Sequence, residues 1–122
     1  MKRIFVLDSH PNKEIHETSF IVACHKQGLT LGKDLEVVIS EEPASFLKHL
    51  PEGYDCYVLH PSDTSEEAIT ELRERQPGCS VVALRGGAFE LGIQNRQTYD
   101  VIYPLFGSRE CESIITALTL NP

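Results

Sequence analysis

Asp8, His10 and His60 stand just beyond two short apolar runs of this 122-residue chain, and chemistry would be built from them. Ile4-Phe5-Val6-Leu7 leads directly into Asp8, Ser9 and His10, and Cys56-Tyr57-Val58-Leu59 leads into His60, Pro61, Ser62 and Asp63. A further run, Val81-Val82-Ala83-Leu84, ends in Arg85-Gly86-Gly87, and Val101-Ile102-Tyr103 ends at Pro104. One carboxylate and two imidazoles could ligate a transition metal, because those donors suit Zn²⁺ or Ni²⁺. Gly86 and Gly87 could cradle an anion with backbone N–H groups. Each has a plainer reading: structural ion pairing for the trio, a hydrogen-bonded loop residue for His60, a flexible turn for the glycines. The plainer reading is the expectation, with no bound metal and no cofactor. His16, His25 and His49 fall on expected helices and suggest no arrangement of their own.

These residues need a scaffold that gathers run ends on one side. The runs, with Leu35-Glu36-Val37-Val38-Ile39 between the first and third, are too short for helices and lack clean alternation. That suits strands buried on both faces of a parallel sheet. Helix signals lie between them. Pro11-Asn12 opens a segment with Ile15, Phe20, Ile21 and Cys24 as its apolar residues, closing near Gly28. Ser40 is the expected N-cap of a helix with Pro43 in its first turn and Phe46, Leu47 and Leu50 at helical spacing. Thr64 and Glu67 read as a capping box ahead of Ala68, Ile69 and Leu72, stopped by Pro77-Gly78. Cys111, Ile114, Ile115 and Leu118 keep an i, i+3, i+4, i+7 stripe behind Ser108. The segment from Ala88 to Thr98, interrupted by Gly92, reads as loop or short helix. Alternating strands and helices predict one domain over 1–122, a three-layer doubly wound α/β sandwich with a five-stranded parallel sheet in the order 2-1-3-4-5. Ligands of such sheets bind beyond the carboxyl ends of strands 1 and 3.

Eighteen acidic residues against eleven basic ones give a formal charge of −7. With the basic residues scattered from Lys2 to Arg109, neither nucleic acid nor an anionic membrane is an expected partner. No apolar run approaches the ~20 residues of a membrane span, and a run of four after Met1 is too short for a signal peptide. Cys24, Cys56, Cys79 and Cys111 form no CxxC pair. Three of them sit in apolar patterns, as small core residues of a reduced cytoplasmic protein would.

Taken in order, these segments resemble response-regulator receiver domains. Ile4 to Pro11 resembles the opening strand that ends in two acids and often a proline. Tyr54-Asp55-Cys56-Tyr57-Val58-Leu59-His60 is similar to the strand carrying the phospho-accepting Asp. Leu72 to Pro77 and Val81 to Leu84 resemble the third helix and fourth strand, and Tyr99 to Phe106 the fifth strand with its Lys-Pro turn. The resemblance spans nearly the whole chain, and order and spacing carry it.

The departures set the functional expectation. At the matching positions His60 replaces the acceptor Asp, Ser9 the second acid, Arg85 the Ser or Thr, and Tyr103 the Lys. Only Asp8 keeps its residue type. One carboxylate is a poor Mg²⁺ site, and phosphoryl transfer would lack its charge stabilisation. The resemblance therefore implies a pseudo-receiver with no catalytic residues, whose degenerate site is Asp8, Ser9, His60, Arg85, Tyr103 and Pro104. Output is expected through a protein partner or a homodimer, using the Ala88–Leu120 region that matches the family's usual contact face. The family's cis Lys-Pro bond implies a cis Tyr103–Pro104 bond. Arg85 is expected to reach toward Asp8, since an unpaired, partly desolvated carboxylate is costly and the guanidinium fork suits a bidentate pair.

A second resemblance is shorter. Ser9-His10-Pro11 with Thr18-Ser19-Phe20 is similar to the first loop and helix of flavodoxin-like quinone reductases, which implies a flavin- or metal-binding enzyme using the same crevice. The loops His60–Asp63 and Arg85–Ala88 carry no aromatic residue on which a flavin could stack, so flavin is not expected.

Overall fold

The computed structural model describes residues 1–84 and 98–120. Five parallel strands, β1 (Lys2–Leu7), β2 (Leu35–Ser40), β3 (Cys56–Leu59), β4 (Ser80–Leu84) and β5 (Val101–Tyr103), form one sheet in the order β2-β1-β3-β4-β5. The expected order is the observed one. Ile4 lies between Val37 and Cys56, and Leu7 between Ser40 and Leu59, so β1 and β3 sit at the centre and end together.

Side chains of each strand alternate between two cores. Ile4, Val6, Cys56, Val58, Val82 and Leu84 face one side and pack under α1 (Lys13–Lys26) and α4 (Ser108–Leu120), with Phe20, Cys24, Cys111, Ile114 and Ile115. Phe5, Leu7, Tyr57, Leu59, Val81 and Ala83 face the other side, against α2 (Pro43–Lys48) and α3 (Glu66–Arg75), with Phe46, Ile69 and Leu72. Burial on both faces is why the strands read as continuous apolar runs. All four cysteines are free and buried.

Several local expectations are corrected. The inward face of α1 is His16, Phe20, Ala23 and Cys24, whereas Ile15 and Ile21 are exposed. Ser40 is the last residue of β2. Its hydroxyl accepts from the Glu42 N–H at 3.2 Å, and α2 begins behind Glu42 with Pro43 first. The N-cap of α3 is Ser65, not Thr64: Ser65 Oγ accepts from the Ala68 N–H at 3.2 Å, while Ser65 holds the extended backbone a cap needs. Ser108 is the first residue within its helix. The Tyr103–Pro104 bond is trans, the form an X–Pro bond prefers by about 0.5–1 kcal/mol when nothing holds it cis. Arg85, Gly86, Gly87 and the segment from Ala88 to residue 97 lie outside the described residues.

Candidate functional site at the carboxyl edge of the sheet

Two backbone hydrogen bonds carry the sheet one residue past β1 and β3 and fix where Asp8 and His60 stand. The Asp8 N–H donates to the Ser40 carbonyl at 3.0 Å, and the His60 N–H donates to the Leu7 carbonyl at 2.9 Å. Both side chains are buried, Asp8 at 1% exposure and His60 at 6%. A buried carboxylate is tolerated only when hydrogen-bonded, and Asp8 has four donors. Its Oδ1 accepts from the His10 N–H at 3.0 Å and lies 2.9 Å from His10 Nδ1. Its Oδ2 accepts from Asn12 Nδ2 at 3.2 Å and lies 2.8 Å from His16 Nε2.

Local sequence explains that geometry. The Asn12 N–H donates to the His10 carbonyl at 2.7 Å, closing a tight turn that brings His10 back over Asp8. Asn12 is the N-cap of α1, yet its side chain caps nothing in the helix and is given to Asp8. One turn further on, His16 reaches the same carboxylate from the buried face of α1, with the Phe106 ring edge-on at 5.7 Å. Its Nδ1 meets no hydrogen-bond partner among the described residues, and the Asp8 carboxylate can only accept, so Nε2 carries the hydrogen of this contact. Burial alone would raise the Asp8 pKa. Hydrogen bonds from His16, the His10 N–H, the His10 ring and Asn12 outweigh it and hold the carboxyl at about 2.

The β3 loop is tied to the β1 loop by a second buried carboxylate. Pro61–Asp63 forms a single 3₁₀ turn headed by His60. Asp63 accepts from the Ser9 N–H and from the Ser9 hydroxyl, both at 2.7 Å. Within the turn, His60 Nδ1 accepts from the Ser62 N–H at 3.3 Å and lies 2.6 Å from Ser62 Oγ. The rings of His10 and His60 face each other with centroids 4.8 Å apart.

The structure thus brings together Asp8, His10 and His60: one ligand atom of each lies within 4.8 Å of the other two. Ser9 belongs to the same cluster through Asp63. Tyr103 is placed elsewhere, packing with the α1 and α4 core, its ring centroid 6.2 Å from that of Phe106. Burial raises its pKa, opposed by a hydrogen bond with Ser113. Arg85 lies outside the described residues. The donors that meet Asp8 among the described residues include two that sequence reasoning passed over, Asn12 and His16. A signal for His16 existed: residues 16, 20 and 24 repeat every four positions along α1 and all face inward.

A parallel sheet in this order, with buried polar groups gathered where β1 and β3 end, defines the receiver-like α/β fold. Comparison with solved structures agrees. The chain is similar to the response regulator protein TrrA from Thermotoga maritima in complex with Mg²⁺-BeF, at 18% identity with a TM-score of 0.60, over 98% of each chain. It is likewise similar to a chain in the complex of histidine kinase ThkA with response regulator protein TrrA, at 19% identity and a TM-score of 0.62 over 100% of each chain. No protein-family model matches the sequence, and neither does any curated protein. No helix among the described residues is long and apolar enough to cross a membrane.

Mg²⁺ does not fit the cluster. That ion takes oxygen ligands in near-octahedral array, whereas two of the three side chains here offer imidazole nitrogen.

Proposed function

We propose that this chain is a receiver-like domain that does not take phosphate and acts in signalling or regulation through contacts with another protein. The observation that carries the reading is the state of the β1–β3 crevice. A histidine follows β3 where the resemblance calls for an acceptor Asp, and the remaining acid, Asp8, already accepts four hydrogen bonds from its own chain. Phosphoryl transfer is catalysed almost entirely by positioning and charge stabilisation. Asp8 is the one acid left of the pair, and its Oδ2 is held by His16 and Asn12, so the crevice lacks the set of oxygen ligands that a Mg²⁺–phosphate complex needs.

The complex of TrrA with a histidine kinase supports a protein partner for a chain of this fold. Within the proposed contact region, Ala88–Leu120, the described part exposes Val101, Leu105 and Leu120. Neither a catalytic residue nor a cofactor is needed for this role. Incubation with a small phosphodonor and Mg²⁺, followed by intact-mass measurement, tests the proposal. An unmodified mass is expected. One added phosphate mapping to Asp8 or His60 would overturn it.

A further inference from the structure

The Asp8–His10–His60 cluster has a chemistry of its own, independent of whether the domain is phosphorylated. We propose that it is a binding site for a borderline divalent transition metal ion of the Zn²⁺ class, held by one carboxylate oxygen and two imidazole nitrogens. Three features of the geometry support this. First, the donors converge. A tetrahedral ion with bonds of about 2 Å sets its ligand atoms roughly 3.3 Å apart, and the three donors already lie within 4.8 Å of one another without an ion. The remaining closure is small. His10, whose side chain is 51% exposed, can supply it by turning its ring.

Second, the two less mobile ligands are held from behind, as metal ligands generally are. Asp8 Oδ2 is taken by His16 Nε2 and Asn12 Nδ2, while Oδ1 faces His10, accepting from its N–H and lying 2.9 Å from Nδ1, a ring contact that an ion at Oδ1 would replace. His60 sits 2.6 Å from Ser62 Oγ through Nδ1. In the metal-free protein Nδ1 accepts from the Ser62 N–H at 3.3 Å; an ion at Nε2 would move the ring hydrogen to Nδ1, where Ser62 Oγ, 2.6 Å away, can accept it in place of that bond. The Ser9–Asp63 pair locks the loop bearing His10 to the loop bearing His60, so the two imidazoles approach as parts of one frame.

Third, the donor types discriminate. Two imidazoles and one carboxylate match Zn²⁺, Ni²⁺ or Cu²⁺ and are wrong for Mg²⁺ or Ca²⁺, which want oxygen alone. Three protein ligands also leave a tetrahedral ion one position for water or an outside donor.

The test uses the full, tag-free chain, stripped with chelator and exchanged into chelator-free buffer, with Zn²⁺ alone as probe. Competition against a chromophoric chelator should give one ion per chain, and Mg²⁺ at millimolar concentration should not displace it. His10→Asn should weaken binding at least as much as the roughly 10- to 100-fold that loss of an outer-shell partner costs. His10 is half-exposed, so this variant keeps the fold; His60→Asn should do the same wherever thermal unfolding shows it folded. His25→Asn, on the exposed face of α1, should leave affinity unchanged. ¹⁵N spectra of the imidazoles should show ring-nitrogen shifts at His10 and His60 on adding Zn²⁺. Absence of saturable binding would overturn the proposal, as would an affinity untouched by His10→Asn or displacement by Mg²⁺. None of these readouts depends on the phosphodonor result, so the two proposals can fail separately.

Discussion

Ser9 gives Asp63 both its backbone N–H and its hydroxyl, each at 2.7 Å, and so joins the loop after β1 to the loop after β3 across 54 residues of sequence. The Asp63 side chain accepts both, one on each oxygen, in a buried position. The pair sets the spacing of the two loops that carry His10 and His60.

Removing one member should therefore loosen the site as well as the fold. Ser9→Ala deletes the hydroxyl bond and should cost about 1 kcal/mol; Asp63→Ala deletes both bonds and strands the Ser9 N–H, costing roughly 2–3 kcal/mol. Urea unfolding of both variants and of the double variant measures the coupling. Simple additivity of the two losses would show that the residues do not act as a pair.

His16 should matter more than its lone place in a helix suggests. His16→Ala leaves Asp8 Oδ2 with Asn12 alone and opens a void beside Phe106. A loss of about 2–4 kcal/mol is expected from the cavity and the weakened carboxylate, together with an upward shift of the Asp8 pKa in an NMR titration. His25→Ala, next to the buried Cys24 but itself exposed, should change neither. An unmoved Asp8 titration in His16→Ala would mean the 2.8 Å contact contributes nothing.

The central strands were legible because burial on both faces leaves a run with no polar interruption, as in Ile4–Leu7 and Cys56–Leu59. Helix faces were less so. In α1 the conspicuous apolar residues Ile15 and Ile21 point outward, while Ala23 and His16 point inward, so hydropathy alone selects the wrong face. The strand-end positions of Asp8, Ser9, His10 and His60 followed from the topology, but their partners did not. Asp63 and Ser9 meet only in three dimensions. The caps of α2 and α3 shifted by one or two residues because several neighbouring polar side chains can compete for the same N–H groups. Arg85 is expected from its charge to compensate Asp8; among the described residues the compensation comes from hydrogen bonds with His10, Asn12 and His16.

The pH dependence of stability follows from Asp8. Its folded pKa of about 2 lies below the ordinary value of 3.8, so the folded state favours the charged form. The stabilisation is full above the unfolded value and is lost as pH falls from about 4 through 2. A shift of that size corresponds to about 2 kcal/mol. Urea unfolding of the metal-free protein at pH 5, 3 and 2, alongside Asp8→Asn, isolates it. The stability difference between wild type and variant should shrink as pH falls; a constant difference would contradict the assignment.

The cysteines should be inert in the native state. Burial pushes Cys56 up to about 12 and raises Cys24, Cys79 and Cys111 as well, so thiolate is scarce near neutral pH. A thiol-reactive disulfide at pH 7.5 should label none of the four until denaturant is added, when mass should report four adducts. Rapid labelling of any one in native buffer would place that residue at the surface.

The contact proposal has its sharpest test at Leu105, which is 80% exposed just beyond β5. An exposed leucine contributes little to the fold, so Leu105→Asp should move stability by no more than about 0.5 kcal/mol. At an interface the same change places a charge in an apolar contact, and desolvating an unpaired carboxylate is costly. If the region from Ala88 to Leu120 is the contact face, capture of the partner from native cells should fall at least tenfold with Leu105→Asp, quantified by mass spectrometry against wild type. The loss should be the same with and without phosphodonor, because the proposed contact does not depend on phosphate. Lys33→Gln, on the exposed turn before β2 at the opposite edge of the sheet, changes the net charge by the same −1 and serves as the control. Equal capture by Leu105→Asp and wild type would move the contact to another surface of the domain. A phosphodonor-dependent capture would instead return the domain to the phosphorylated class.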